Sequence, residues 1–322
     1  MKYKVNIPIL FFGTSNFAVP ALEQLVSSGY NVVGAVTKPD EPAGRGEVMT
    51  SPPVKIAASK NGLPVFQPEN LERAQELPDA DLYIVAAYGK IIPSSVLERA
   101  RLGALNIHPS LLPHWRGPSP IQFTILQDDE ETGVTIIKLD EFMDHGPIVA
   151  KRQLGISNFQ TPISKLAYPE LHDALAVLGA DLMIEMLPKW IAEEITPLPQ
   201  DDVKATFSRI LKKDDGRIDW KKPADYIERM TRAFTPWPGA WTMWPDGNKI
   251  YRVRIEEAEI ITNEESALGS EGYVWQSRDY PLLVKTGRGS LIVKRLTLEG
   301  KKSTGAEEFI RGNKEIVGSR LI

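Results

Sequence analysis

Asn106 and His108 stand two residues apart in the run Ala104–Pro109, and Asp144 follows in the turn sequence Phe142-Met143-Asp144-His145-Gly146. On a strand, a spacing of two places both side chains on one face. Pro109 ends the run, so the two polar groups emerge where a buried strand meets a loop. Open α/β sheets hold ligands at the carboxyl ends of their strands. An amide, an imidazole and a carboxylate gathered there would stabilise an oxyanion, handle a proton and orient or charge the imidazole. The same residue types also suit a capped turn at Asn106 and His108 and an Asx turn at Asp144, and types alone leave both readings open.

The elements that must position these groups are legible as short apolar runs. Ile7–Phe12 ends in Gly13 and reads as a buried parallel strand. Gly13-Thr14-Ser15-Asn16 supplies a turn, Pro20 opens a helix that Gly29 stops, and Asn31–Val36 returns as a second strand. A strand–helix–strand unit at the start predicts an α/β domain with a Rossmann-like, mostly parallel sheet. The turn lacks the Gly-x-Gly-x-x-Gly pattern, which argues against a nicotinamide enzyme. Leu82–Ala87 and Gly133–Leu139 read as further strands, Pro147–Ile156 as another, and Ile163–Ala192 as mostly helical with a break at Pro169. Lys38–Pro53 is expected to be a long loop without secondary structure, and such loops are functional or disordered. Glu193–Thr206, with Pro197 and Pro199, reads as an extended linker. Beyond it, Lys249–Glu256, Gly272–Gln276, Leu282–Thr286 and Ser290–Leu298 are short strand-like runs at fairly regular spacing, which predicts a small β-barrel. The expected division is 1–189, a linker 190–206, and 207–322.

A chain of 322 residues with 42% hydrophobic and 25% charged residues suits two globular domains. It has no cysteine, which excludes disulfides, thiolate metal sites and a cysteine nucleophile. Four scattered histidines predict no metal site. No run reaches the length of a membrane span and no signal-peptide core follows Met1, so a cytoplasmic protein without membrane contact is expected. The net charge of −4 is unevenly placed. Residues 203–322 hold 22 Lys+Arg against 17 Asp+Glu, a net of +5, whereas residues 1–202 hold 16 against 25, a net of −9. The basic second half suits a polyanion docked on that domain.

Taken together, Asn106, His108, Ser110-Leu111-Leu112-Pro113, Arg116-Gly117, Asp144 and Gly146 match the pattern Asn-x-His-x-Ser-Leu-Leu-Pro-x-x-Arg-Gly followed by Asp-x-Gly. The chain thereby resembles the folate-dependent formyltransferases. Pro39, Asp40 and Pro42-Ala43-Gly44-Arg45-Gly46 match a loop found in the tRNA-directed branch of that family, although Glu47 stands where lysines commonly follow. Arg217–Trp220 and Arg232–Pro238 match signatures of its second domain. The resemblance implies an N-terminal formyltransferase domain and an OB-like barrel that binds tRNA. It implies transfer of the formyl group of 10-formyltetrahydrofolate to the α-amino group of methionine on initiator methionyl-tRNA, with Asn106, His108 and Asp144 as the catalytic set and no metal. By the same resemblance Tyr88, Gly89, Ser110, Leu111, Leu112, Pro113, Asp140 and Met143 would line the folate site, with core packing the alternative for the Tyr88 side chain. Arg45, Lys38 and Lys204 would meet tRNA, and a monomer is expected. His145 stands where the family more often has a small residue. The rival reading is a folate-dependent N-formyltransferase acting on a sugar amine or a nucleotide.

Overall fold

A computed structural model of the chain describes residues 7–43, 48–155, 162–261 and 269–322. Two compact units emerge: Met1–Pro120, Glu131–Gln160 and Leu171–Ser208 form the first, and Ile121–Glu130, Thr161–Glu170 and Arg209–Ile322 the second.

The elements follow one another as β1 (Ile9–Gly13), α1 (Val19–Ser27), β2 (Val32–Val36), β3 (Glu41–Ala43), β4 (Val48–Thr50), α2 (Pro53–Lys60), β5 (Val65–Phe66), β6 (Leu82–Ala86), α3 (Ser94–Leu97), β7 (Ala104–His108), α4 (Pro120–Leu126), β8 (Gly133–Lys138), β9 (Ile148–Gln153) and α5 (Tyr168–Ile191). All five residues of β1 and of β6 are buried. A strand covered on both faces needs a continuous apolar run, which is what these sequences supply. The sheet order is β5-β2-β1-β6-β7-β8-β9. The first five strands are parallel, whereas β8 and β9 run antiparallel to their neighbours. The mostly parallel sheet expected from the sequence is therefore present, with β8 reversed between β7 and β9.

That reversal matters for the site. Leu105 pairs with Lys138 and His108 with Thr135, so β8 ends beside the start of β7. There the Leu139 N–H donates to the Ala104 carbonyl at 2.8 Å. The 139–147 loop consequently begins at the end of β7 remote from His108.

Two local expectations are corrected. The 38–53 stretch is not without secondary structure: β3 and β4 pair antiparallel, Glu41 with Thr50 and Ala43 with Val48. Pro169 does not break the long helix but sits in its first turn, where the missing N–H has no helical partner to lose. Pro188 is the proline inside that helix.

The second unit carries α6 (Ala224–Ala233), β10 (Ala240–Asp246), β11 (Lys249–Ile261), β12 (Val274–Trp275), β13 (Leu283–Lys285), β14 (Ser290–Leu298), β15 (Thr304–Gly305) and α7 (Ala306–Gly312). Its strands form one antiparallel sheet, β10-β11-β14-β13-β12, with β15 on β14. The two edges are bridged by the 318–322 segment. Val274 N–H donates to Ser319 O and Leu321 N–H to Gly272 O on one side, while Met243 and Ile322 exchange both backbone bonds on the other. Closure removes exposed strand edges, and Val253, Ile255, Val274, Leu296 and Leu321 fill the interior. The Arg229 side chain donates to Leu126 O at 3.0 Å and that of Arg232 to Leu166 O at 2.9 Å, fastening the 121–130 and 161–170 segments into this unit.

Candidate active site

His108 closes β7 and is only 4% exposed. Its Nε2 lies 2.9 Å from the Trp115 carbonyl oxygen. A carbonyl can only accept, so Nε2 carries the hydrogen and donates. Nδ1 faces Asp144 Oδ1 at 3.5 Å, near enough for electrostatic interaction and beyond the usual hydrogen-bond distance. Asn106 precedes His108 by two residues on the same strand and is partly buried. The strand period thus places the amide and the imidazole on one face.

Asp144 reaches this place by the return of the 139–147 loop. Its other oxygen, Oδ2, accepts from the Gly117 N–H at 2.8 Å. Asp144 has φ 50°, a left-handed backbone that costs a non-glycine residue about 1–3 kcal/mol and persists when its surroundings over-determine it. Two glycines make the approach possible. Gly117 has φ 107°, and a Cβ there would stand 2.5 Å from Ser208 O. At Gly146 a Cβ would stand 1.9 Å from Lys138 O, so only glycine lets the loop pass so close to β8.

The loop after His108 is held from several sides. Thr135 Oγ1 donates to Ser110 O at 2.7 Å and accepts from Leu112 N–H at 3.0 Å. Lys151 donates to the Leu112 carbonyl, and burial lowers the Lys151 ammonium from its ordinary range. Thr206 takes both backbone sides of the next turn: its N–H donates to Pro113 O at 3.2 Å and its carbonyl accepts from Arg116 N–H at 2.9 Å. Its hydroxyl accepts from Trp115 N–H at 2.9 Å and meets His114 Nδ1 at 2.7 Å. The carbonyl to which His108 donates is therefore fixed by a residue 91 positions away in sequence.

The buried Arg116 guanidinium donates to Gln200 Oε1 at 3.0 Å and to Asp202 Oδ1 at 2.7 Å, which lowers the Asp202 carboxyl below its usual range. The Gln200 amide donates to the carbonyls of both Asp144 and Gly146 at 2.8 Å. His145 Nδ1 donates to Asp140 Oδ2 at 2.7 Å, and its Nε2 lies 3.7 Å from Asp202. None of Gln200, Asp202, Thr206 and Ser208 stood out in the sequence, because polar residues in a proline-containing extended segment carry no period.

The expected folate-site residues fall into two kinds. Asp140 and Met143 lie on the returning loop, where Phe142 and Met143 are exposed at 61% and 63%. Leu112 and Ser110 are buried and Leu111 and Pro113 partly buried in the loop just described. Gly89 has φ 78° and Ala87 φ 41°, so the turn after β6 presents backbone. The Tyr88 side chain packs in the core with its ring edge-on to Phe12, 5.5 Å between centroids. Its buried hydroxyl meets no partner among the described residues, and burial pushes its pKa up to about 12. Ile91, nearby in sequence, is 82% exposed.

Of the residues expected at tRNA, Arg45 lies outside the described residues. Lys204 is exposed and pairs with Asp201 at 3.2 Å, and the Lys38 side chain passes beside Gly89. Asp40, at the foot of the β3–β4 hairpin, accepts two 2.8 Å bonds from Lys55, one of 2.8 Å from Gln67 and one of 3.0 Å from Ser51. Lys55 first, with Gln67 and Ser51, holds its carboxyl down to about 2 against the partial desolvation of the site. Among the described residues no three or more of His, Asp and Glu come together as a metal site, and no helix is long and apolar enough to cross a membrane.

Residues 5–185 match the family described as formyl transferase, and residues 210–314 match the formyl transferase C-terminal domain. A methionyl-tRNA formyltransferase of Chloroflexus aurantiacus is 49% identical over 310 residues, covering 94% of this chain and 96% of its own. One of Geobacter metallireducens is 38% identical over 324 residues, covering 98% and 99%. Among solved structures, the N-formyltransferase of Helicobacter canadensis with folinic acid and dTDP-3-aminofucose has a TM-score of 0.62 at 19% identity, over 89% of this chain and 98% of that one. HypX of Aquifex aeolicus with tetrahydrofolic acid has a TM-score of 0.63 at 18% identity, over 95% of this chain and 47% of that one, a likeness of fold. With both formyl transferase models matched in order and such relatives aligned nearly end to end, the chain belongs to the methionyl-tRNA formyltransferase family.

Proposed function

We propose that this enzyme transfers the formyl group of 10-formyltetrahydrofolate to the α-amino group of methionine carried by initiator tRNA, yielding N-formylmethionyl-tRNA and tetrahydrofolate. The end-to-end identity of 38–49% with methionyl-tRNA formyltransferases carries this reading. The chemistry suits the residues. A free α-amino group titrates near 7.7–8.0, so a large fraction is neutral and nucleophilic at physiological pH. The amine nitrogen attacks the formyl carbon, and the carbonyl oxygen takes the negative charge. Asn106 donates to that oxyanion. His108, donating to Trp115 O through Nε2 and facing Asp144 through Nδ1, stabilises the charge or moves the proton. Collapse breaks the bond to the folate nitrogen N10. The amine gives up one proton and N10 gains one, so the step needs no external acid or base.

The folate would lie against the backbone of residues 87–89, whose groups suit the alternating donors and acceptors of a pteridine edge. Exposed Phe142, Met143 and Ile91 offer apolar surface of the kind a ring system covers. Arg45, Lys38 and Lys204 together with the basic 203–322 half of the chain would hold the acceptor end of the tRNA. A role in translation would place its action in the cytoplasm. The domain division 1–189, linker 190–206 and 207–322 remains our reading of the sequence, alongside the two structural units described above.

The test is formyl transfer from 10-formyltetrahydrofolate to charged initiator and elongator methionyl-tRNA, with His108→Ala as control. Product on the initiator tRNA, abolished in the control, is expected. Transfer to a nucleotide-linked sugar amine with none to either tRNA would overturn the reading.

A further inference from the structure

We propose that Gln200 is a positioning residue that holds Asp144 against His108, an inference that rests on the formyl-transfer reading of the site. Three groups dictate the orientation of its carboxamide. The Arg116 Nε–H can only donate, so the atom it meets at 3.0 Å is the oxygen. The carbonyls of Asp144 and Gly146 can only accept, so the atom that meets both at 2.8 Å is the amide nitrogen, which spends one hydrogen on each. Both amide hydrogens are thereby used, and the carboxamide clamps the loop on both sides of His145.

The clamp has a rigid mounting. Arg116 is buried, and its second donor is engaged by Asp202 at 2.7 Å. Its backbone is bonded on both sides, N–H to Thr206 O at 2.9 Å and carbonyl to Ser208 N–H at 2.7 Å. What the clamp grips is backbone in a strained conformation. Asp144 is in the left-handed region with φ 50°, and such a residue relaxes unless its surroundings prevent it. Gly117 N–H holds Oδ2, Gln200 holds the main-chain carbonyl, and the remaining oxygen is left facing His108. Among the described residues the Gln200 side chain bonds to Arg116 and the two loop carbonyls, so it acts through Asp144.

The side chain is not replaceable by its near relatives. Glutamate would set an oxygen against two carbonyl oxygens. Asparagine is shorter by one methylene, about 1.5 Å, and cannot span from Arg116 to both carbonyls.

The experiment is a double-mutant cycle on the full chain with Gln200→Ala, Asp144→Asn and the pair, reading kcat and KM separately, with Gln200→Met as a second variant should the alanine form not accumulate. Alone, Gln200→Ala is expected to lower kcat about 10- to 100-fold, with the KM for 10-formyltetrahydrofolate within about twofold, as for displacement of a catalytic group by about an ångström. In the Asp144→Asn background it should cost less than about threefold, because residues that act as a unit are not additive. A kcat within twofold of the unchanged enzyme, or losses that multiply, would overturn the proposal. The crystal structure of the Gln200 variant gives a readout independent of turnover. A shift of Asp144 relative to His108 by more than about 0.5 Å supports the clamp, and an unmoved Asp144 overturns it. Should the unchanged enzyme form no formylated product, the functional reading fails, and the crystallographic comparison still decides the role of Gln200.

Discussion

Asp144 Oδ1 lies 3.5 Å from His108 Nδ1, although the strand that leads to Asp144 runs away from His108. The contact exists because the loop after β8 folds back and docks its carboxylate on the Gly117 N–H. With Nε2 committed to the Trp115 carbonyl, Nδ1 is the ring nitrogen that faces the carboxylate. Asp144→Asn is expected to lower kcat about 10²- to 10⁴-fold with little change in folate KM, a loss of the size seen when the partner that orients a histidine is neutralised. Steady-state kinetics on both substrates check this, and a kcat within threefold would remove Asp144 from the chemistry.

Asn106→Ala should cost about 10²- to 10³-fold in kcat, as for other single oxyanion donors, while the tRNA KM stays nearly unchanged. A rise in KM at constant kcat would instead make Asn106 a binding residue.

Gly146→Ala tests the fold-back. A Cβ there would stand 1.9 Å from a backbone oxygen that cannot swing aside, so the loop must move and carry Asp144 with it. A kcat about 100-fold lower is expected, with circular dichroism and the mass of the folded chain unaltered. Full activity would show that the loop tolerates the shift.

Asp40 at the foot of the β3–β4 hairpin is held to about 2 from an ordinary 3.8 by Lys55, Gln67 and Ser51. A carboxyl depressed in the folded state stabilises it fully above the unfolded value and loses that contribution as pH falls through the folded value. The stability advantage over Asp40→Asn should therefore be complete at pH 5, mostly lost at pH 2 and gone by about pH 1. Urea midpoints of the two proteins across that range measure it, and an advantage independent of pH would remove the ion pair as its source. The same variant loosens the base of the hairpin that leads to Arg45, so the tRNA KM is expected to rise at constant folate KM.

Tyr88→Phe separates core packing from folate binding. The hydroxyl is buried with no partner among the described residues, so its removal deletes an unsatisfied group. Stability should be unchanged or higher by up to about 1–3 kcal/mol, and folate KM unchanged. A folate KM several-fold higher would place the hydroxyl in the site.

The sequence by itself determined the parallel half of the sheet, the pairing of Asn106 with His108 on one strand face, and the strands β11 to β14 of the second unit, but not β10 or β15. Local period and turn chemistry are properties of consecutive residues, and burial on both faces of β1 and β6 demands the apolar runs that are read there. It did not disclose the β3–β4 hairpin, whose three-residue strands are too short for a period to register. Pro169 shows the same limit, since proline ends a helix or begins one according to where the previous residues have gone. Only the tertiary structure decided that β8 runs backwards, and hence that Asp144 arrives by a loop turning over the sheet. Nor could spacing point to Gln200 and Thr206, which act across 56 and 91 residues of chain on the Asp144 carbonyl and the Trp115 amide. Hydrogen bonds between residues so far apart impose no pattern on their chain neighbours. The chemistry of the catalytic side chains was written in the chain, and the geometry that aims them comes from contacts the chain makes only once folded.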